Sequence, residues 1–384
     1  MDSEEKLRLK AIHFHLQNQS VSSIARQLSR SRQWVYKWIS RYETTGSTED
    51  WYKGVSKAPK THSVRTSAVV EKAVINVRKH LASRPYSQQG AVSIMYELRH
   101  TGIQAPSIST INRILKRNNL TKKDKSKVSK SKEYPNRYIN VQQMDLVGPR
   151  YLKGGFKFYI FNIIDIGNHF AGVYPISNKS ATSIVPCLID FWQNYQLPDY
   201  LQMDNELSFR GSNRYPRALG LLLRVALTNN VTPVFIPNAE PWRNGVIEKF
   251  NDNVTKYFLK QKFNSLQEMQ LKALDFTSFH NSNHRYSSQN NKTPLQMIEE
   301  EKYLTKLNQD YDLTVRPIVD SGELIFIRFI RSDLKLKILN STFIVSEKLI
   351  YTYVEAVVMI EKHSLAVYHK GKVYHYFEFV MPLS

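Results

Sequence analysis

The sequence predicts a multidomain protein: two all-α helix-turn-helix domains, an α/β core and a C-terminal small β-barrel. Three observations predict it. Two early blocks carry apolar residues at helical spacing, with basic and polar residues on the opposite faces. From residue 141 the pattern changes to short apolar strands, and then to strands alternating with helices. From about residue 321 the chain is mostly short strands rich in Val, Ile, Tyr and Phe.

The first block is helical over 5–43. Trp34, Val35, Trp38, Ile39 and Tyr42 form an apolar stripe, and Arg32, Gln33, Tyr36, Lys37 and Arg41 lie opposite. A short helix, the turn Ser29-Arg30-Ser31 and this second helix make a helix-turn-helix layout, whose outward residues are candidate DNA contacts. An ordinary small helical bundle is the alternative. The second block repeats the plan without a residue-level repeat. Ser107 can cap a helix that presents Ser109, Asn112, Arg113 and Lys116 outward. The expected boundaries are 1–45 for the first domain, 46–67 for a linker and 68–119 for the second domain. A basic linker over 120–135, a core over 136–300, a connector over 301–320 and a barrel over 321–384 follow.

Between 116 and 132 eight basic residues stand against one acid. Such a run cannot pack, and between two DNA-contacting domains Lys122, Lys123, Lys125, Lys127, Lys130 and Lys132 are expected to track phosphates. Over the whole chain the net charge is +21, which favours a polyanionic partner, nucleic acid first. Cys187 is the only cysteine, so an intrachain disulfide and a cysteine-rich zinc cluster are excluded, and a reducing compartment fits. It lies on the apolar side of a helix over 180–195 and reads as core. The charged start lacks a signal-peptide apolar region, and no apolar run approaches the roughly 18 residues that span a bilayer. The expectation is a soluble cytoplasmic protein, held at the nucleoid through DNA, with no membrane partner.

In the core, Phe156–Asp165 reads as a strand with Phe170–Tyr174 as its hairpin partner. Tyr200–Met203 and Thr232–Ile236 are further strands, and Val246–Gln261 is a helix. Three strands before the first clear helix, then alternation, suit an RNase H-like α/β domain. Three acids fall at telling places: Asp145 in a strand, Asp204 at a strand end and Glu248 one turn into a helix. Hard oxygen ligands on such elements can hold two Mg²⁺ (or Mn²⁺) ions, and two ions suffice for phosphoryl transfer without a side-chain nucleophile. Arg243, Lys249 and Lys256 lie near enough in sequence to meet phosphate. Neighbouring residues read more plainly. Asp165 is structural or solvent-facing. Asp252 lies behind the ligands or at the surface, as Asp190 and Glu240 lie at the surface. Trp242 and His284 stay open between packing and a site role.

The words around these acids resemble the DDE transposases of the retroviral-integrase superfamily, in particular bacterial insertion-sequence transposases with an integrase-type core. They are Gln143-Met-Asp145-Leu-Val-Gly-Pro149, Asp204-Asn205 with Phe209, and Pro241-Trp-Arg-Asn244-Gly245-Val-Ile-Glu248-Lys-Phe-Asn251. Phe279-His-Asn281-Ser-Asn-His284-Arg285 with Thr293-Pro294 also matches. The resemblance covers about 135–300. It implies that Asp145, Asp204 and Glu248 are the catalytic, metal-holding triad, and that the protein binds element terminal repeats and target DNA as a homo-oligomer. Two departures stand out: Glu206 where the family usually has Gly after Asp-Asn, and 44 positions between Asp204 and Glu248, which points to an insertion around 210–220. No His-His-Cys-Cys zinc module precedes the core.

The expected activity is metal-dependent cleavage of element ends, followed by transfer of the 3′ ends into target DNA. One alternative is a DNA-binding regulator that has lost cutting, which the three intact acids oppose. The other is a structure-directed nuclease, which needs no pair of helix-turn-helix blocks and cuts without joining.

Overall fold

The computed structural model describes residues 3–45, 50–54, 66–121, 133–135, 137–300 and 304–382. The chain divides into two units, 1–67 and 68–384. In the first unit, α1 (Ser3–Leu16), α2 (Val21–Gln27) and α3 (Arg32–Thr45) form a bundle. Ser20 caps α2, its hydroxyl accepting from Ser23 N at 3.3 Å. Val35, Trp38 and Ile39 of α3 are buried against Ile24, Ala25 and Leu28 of α2 and its end and Ala11 and Ile12 of α1. The segment 46–67 reads as a linker, yet Trp51 is only 8 % exposed. It meets Tyr42 edge-on at 5.1 Å, and Arg8 donates to the Tyr52 carbonyl at 2.8 Å. The two aromatics supply apolar area that so small a bundle otherwise lacks.

The second unit opens with α4 (Ala68–Ser83), α5 (Ala91–His100) and α6 (Ile108–Arg117). Ser107 caps α6 as expected, accepting from Thr110 N at 3.3 Å. Val74, Leu81, Ile94, Leu98, Ile111 and Ile114 make this block's own core. The predicted phosphate-tracking residues Lys122, Lys123, Lys125, Lys127, Lys130 and Lys132 lie outside the described residues.

The α/β part follows: β1 (Val141–Tyr151), β2 (Lys157–Asp165), β3 (Ala171–Ile176), α7 (Ala181–Asn194), β4 (Tyr200–Met203), α8 (Leu207–Arg210), α9 (Leu221–Thr228) and β5 (Thr232–Phe235). After a 3₁₀ turn over Pro241–Asn244 come α10 (Gly245–Asn253), α11 (Leu266–Asn283) and α12 (Pro294–Glu300). The strands run in the order β3-β2-β1-β4-β5. β1 to β3 are antiparallel, and β4 and β5 continue parallel to β1. This is the RNase H-like arrangement. The near-continuous apolar run of β2 follows from burial on both faces. Phe161 and Ile163 pack with α7 and α9, while Phe158, Ile160 and Ile164 pack with α10 and α11. Each such side chain, fully buried, contributes about 1.5–3 kcal/mol. The helix expected over 246–261 is interrupted: one π turn, Val254–Phe258, follows α10. The extra residue in that turn keeps both Val254 and Phe258 against the core.

The tail differs from the expected free-standing small β-barrel. Its strands are β6 (Glu323–Phe329), β7 (Lys335–Ile338), β8 (Ser341–Ile344), β9 (Tyr353–Met359), β10 (Ser364–His369) and β11 (Lys372–Glu378). β6 pairs parallel with β5, so one nine-stranded sheet runs β11-β10-β9-β6-β5-β4-β1-β2-β3, with β7-β8 as a separate hairpin. The reason is the buried edge of β5. Val234 and Phe235 are inaccessible there, and Phe235 stacks on Phe326 at 4.8 Å. The insertion inferred at 210–220 is a loop closed on itself. Gly211 (φ +114°) packs against Gly220, where a Cβ would stand 3.0 Å from the Gly211 Cα. Arg217 in this loop reaches the tail, donating to Ser341 Oγ at 2.7 Å and lying 4.5 Å over the Phe379 ring.

Candidate active site

Asp145 stands on β1 opposite Asn162 of β2. Its Oδ1 accepts from Leu146 N at 2.8 Å and its Oδ2 from Asn251 Nδ2 at 2.7 Å. Burial pushes its carboxyl up to about 6; the Leu146 amide and Asn251 oppose the rise, and the negative charges of Asp204 and Glu248 add to it. Asp204 follows the last residue of β4, and its Oδ1 accepts from Glu206 N at 2.9 Å. Burial raises this carboxyl too, with the Glu206 charge adding and Lys179 opposing. Glu248 lies in the first turn of α10, where the helix dipole favours a negative charge. It is half-buried, and burial, then Asp252, raises its carboxyl.

Buried amide side chains fix where α10 begins. Asn244 donates to the Met144 carbonyl at 3.2 Å, and Ile247 N donates to Gln143 Oε1 at 3.0 Å. Gln202 Nε2 reaches the Arg243 carbonyl at 3.0 Å and Asn244 Oδ1 at 3.2 Å. The strand that bears Asp145 and the strand that leads to Asp204 thus both grip the turn ahead of Glu248. Asn205 is held as firmly: its Nδ2 donates to the Ile236 carbonyl at 2.7 Å and its Oδ1 accepts from Arg328 Nη2 at 2.8 Å. Glu206 pairs with Lys179 at 2.8 Å and has φ −58°, a conformation open to any residue, so replacing Gly here costs no backbone strain.

An open cleft of 460 Å³ is lined by Asp145, Gly245, Glu248, Lys249, Asn251 and Asp252. Asp204 is not in that lining, though its charge reaches Asp145. Among the described residues no group of three His, Cys, Asp or Glu side chains is drawn together closely enough to hold a metal ion. The donor type nonetheless fits a hard divalent cation. The acids offer only carboxylate oxygens, they repel one another at Asp145, and among the described residues none is ion-paired to a basic side chain.

The other predicted positions separate clearly. Arg32, Gln33, Tyr36 and Lys37 are exposed on α3, while Arg41 is half-buried with its guanidinium 5.0 Å from the Trp38 ring. Ser109, Asn112, Arg113 and Lys116 are exposed on α6, and Lys249 and Lys256 are exposed near the cleft and on the π turn. Arg243 is engaged inside the protein: it pairs with Glu240 at 3.1 Å, donates to Tyr353 Oη at 2.9 Å and lies 4.1 Å over the Tyr134 ring. Glu240 is therefore a structural ion-pair partner and not a surface acid. Asp165 is structural, accepting from Gly167 N, Asn168 N, Tyr195 Oη and Gln196 Nε2. Asp190 is exposed and accepts from Tyr174 Oη. Burial pushes the Cys187 thiol up to about 12, so it holds no thiolate at neutral pH. Trp242 is 61 % exposed. His284 is fully buried away from the cleft, with Nε2 on the Tyr86 carbonyl at 2.8 Å. Asn281 beside it pairs with both backbone groups of Ala171 at 3.0 Å. That stretch therefore docks the second helical block and the sheet edge. Asn251, Asn244, Gln143 and Gln202 were given no site role from sequence, although Gln143, Asn244 and Asn251 stand in the words that carry the resemblance.

Comparison with known families bears on identity. Residues 2–51 match the homeodomain-like domain model, and residues 229–294 match the integrase core domain model. The chain thus carries a homeodomain-like segment and, further along, an integrase-core segment. It is 26 % identical over 233 residues to a putative integrase, ORF3, of Spiroplasma virus SpV1-C74, spanning 54 % of this chain and 64 % of that protein. Similar solved structures include the catalytic core domain of HTLV-2 integrase in complex with magnesium (16 % identity, TM-score 0.31, 41 % of this chain and 95 % of that one). Another is a simian T-cell lymphotropic virus intasome in complex with the PP2A regulatory subunit B56 gamma (10 % identity, TM-score 0.37, 74 % and 92 %). Among the described residues no helix is long and apolar enough to cross a membrane.

Proposed function

We propose that this protein is a DNA transposase that binds element ends, cleaves them by metal-dependent hydrolysis and transfers the 3′ ends into target DNA. The observation that supports the reading is that Asp145 and Glu248 line one cleft, while Gln143, Asn244 and Gln202 tie the turn ahead of Glu248 to the strand that bears Asp145 and the strand that leads to Asp204. A homeodomain-like domain precedes that cleft in the sequence, in a chain of net charge +21. Asp145, Asp204 and Glu248 would hold the divalent cations, two Mg²⁺ or Mn²⁺. When bound, these ions supply Lewis-acid activation of a water or 3′-hydroxyl and stabilise the leaving oxygen. The chain's own residues do the rest. Asn251 fixes one oxygen of Asp145, leaving its orientation set before DNA arrives. Lys249 and Lys256 lie exposed to meet the DNA backbone. Arg32, Gln33, Tyr36 and Lys37 on α3 and Ser109, Asn112, Arg113 and Lys116 on α6, all exposed, would read the ends. The protein would work as a homo-oligomer on double-stranded DNA, in the cytoplasm at the nucleoid.

The test uses the full chain on linear DNA carrying the element's ends. Mg²⁺-dependent nicking at the 3′ ends, followed by products joined to a second DNA, is expected. Binding without nicking in Mg²⁺ or Mn²⁺ would favour the silent regulator, and nicking without joining the structure-directed nuclease. Glu206, which stands where the family usually has Gly, adopts a backbone conformation open to any residue and so does not favour the regulator.

A further inference from the structure

Arg328 and Tyr353 each tie a C-terminal strand to a segment next to a candidate ligand. Arg328 on β6 is half-buried, and its guanidinium meets no carboxylate among its hydrogen-bond partners. Its Nη1 donates to the carbonyls of Ile236 at 3.1 Å and Ile327 at 2.9 Å, and its Nη2 to Asn205 Oδ1 at 2.8 Å. Asn205 donates to the same Ile236 carbonyl at 2.7 Å. The guanidinium, the amide and the end of β5 thus close a ring around the residue that follows Asp204. Tyr353 on β9 does the same for the other segment. Its hydroxyl donates to Glu240 Oε2 at 2.7 Å and accepts from Arg243 Nη2 at 2.9 Å. Glu240 precedes, and Arg243 lies within, the turn that leads into α10 and Glu248. The tail is already joined to the core by backbone pairing of β6 with β5. These side-chain ties are additional: one ends on the residue after Asp204, the other on the turn that leads into the helix bearing Glu248.

We propose that the C-terminal strands are part of the catalytic machinery, with Arg328 and Tyr353 acting as positioning residues for the segments that bear Asp204 and Glu248. This rests on the reading of those carboxylates as cation ligands. An outer partner that orients a ligand is typically worth about 10–100-fold in metal affinity or activity. A tail that is only a DNA-binding appendage would leave metal affinity untouched.

The experiment uses the full chain, with Arg328→Lys and Tyr353→Phe as the tests. Arg331→Gln is the control: it is exposed, just beyond β6, and reaches neither segment. Mn²⁺ binding is measured by calorimetry on the protein alone, and cleavage of end DNA is titrated with Mg²⁺. Each test variant should bind Mn²⁺ about ten-fold or more weakly and need correspondingly more Mg²⁺. End-DNA affinity and melting temperature should match the unaltered chain, and Arg331→Gln should match it throughout. If Arg328→Lys fails to fold, Tyr353→Phe, which keeps the ring, decides alone. Unshifted Mn²⁺ and Mg²⁺ responses in the folded variants would overturn the proposal, as would metal affinity lost only in step with melting temperature. Failure of the unaltered chain to bind Mn²⁺ or to cleave would instead strike the ligand reading itself, and this proposal with it.

Discussion

Asn251 donates to Asp145 at 2.7 Å from the helical turn after Glu248, and its own Oδ1 accepts from Asn162 at 2.7 Å. A chain of two amides thus runs from β2 through α10 to a carboxylate on β1. It ties the position of Asp145 to that of Glu248, and it gives the acid cluster one fixed member.

The first prediction concerns that cluster. Asp145→Asn, Asp204→Asn and Glu248→Gln should each abolish cleavage and joining while end binding survives. Asn251→Ala should lower cleavage about 10–100-fold, since it orients a ligand without being one. Gel assays of nicked and joined DNA in Mg²⁺ check this. Near-normal activity in any one acid variant removes that residue from the site.

The second concerns DNA. Arg32, Gln33, Tyr36, Asn112 and Arg113 are exposed on α3 and α6. Alanine at a base-reading position should cost about 1–3 kcal/mol of discrimination between end and random DNA. Alanine at Lys249 or Lys256 should weaken all sequences alike and flatten the slope of log affinity on log salt by about 0.9 per lost phosphate contact. Equal losses on both kinds of DNA for the helix variants would count against end recognition by these faces.

The third concerns pH. Burial pushes the His284 imidazole down to about 4 from an ordinary 6.5, and no carboxylate is among the groups acting on it or on His280, which faces it at 3.1 Å. The folded state therefore prefers the neutral ring. Its contribution is fully present above about pH 6.5 and is lost as pH falls towards 4. Because His284 holds the Tyr86 carbonyl, amide exchange around 84–90 and 280–286 should quicken across that window. His284→Gln, which can still donate to Tyr86, should flatten the effect. An unchanged pH profile in that variant would place the acid sensitivity elsewhere.

The fourth concerns assembly. Two ends must join one target, so the active species should hold at least two protomers on DNA. A mixture of Asp204→Asn protein with triad-intact protein defective in end binding through Arg32→Ala and Arg113→Ala should recover cleavage that neither shows alone. No recovery, with a monomeric complex during cleavage, would refute action in trans.

What the sequence disclosed, and what it hid, divides by distance along the chain. Trp38 and Val35 declare their buried face within one helix, and Tyr200–Met203 declares a strand because its apolar run stops at Asp204. The three acids stand out through their immediate neighbours. Arg243 was open to misreading because two of its three partners, Tyr353 and Tyr134, lie about a hundred residues away on either side. A basic residue beside a cleft reads as phosphate-facing until those rings are known. The pairing of β6 with β5 was hidden for the same reason. Alternating Val and Ile in the tail suit a closed barrel and an extended sheet equally well, and only the need to cover Val234 and Phe235 decides between them.

That pairing has a consequence for anyone who divides the chain. Truncation after about residue 305 would turn Thr232–Phe235 from an interior strand into an exposed edge, with unpaired backbone groups and an uncovered Phe235 ring. Such an edge is a template for strand addition, so the shortened core would tend to aggregate through β5 instead of staying monodisperse.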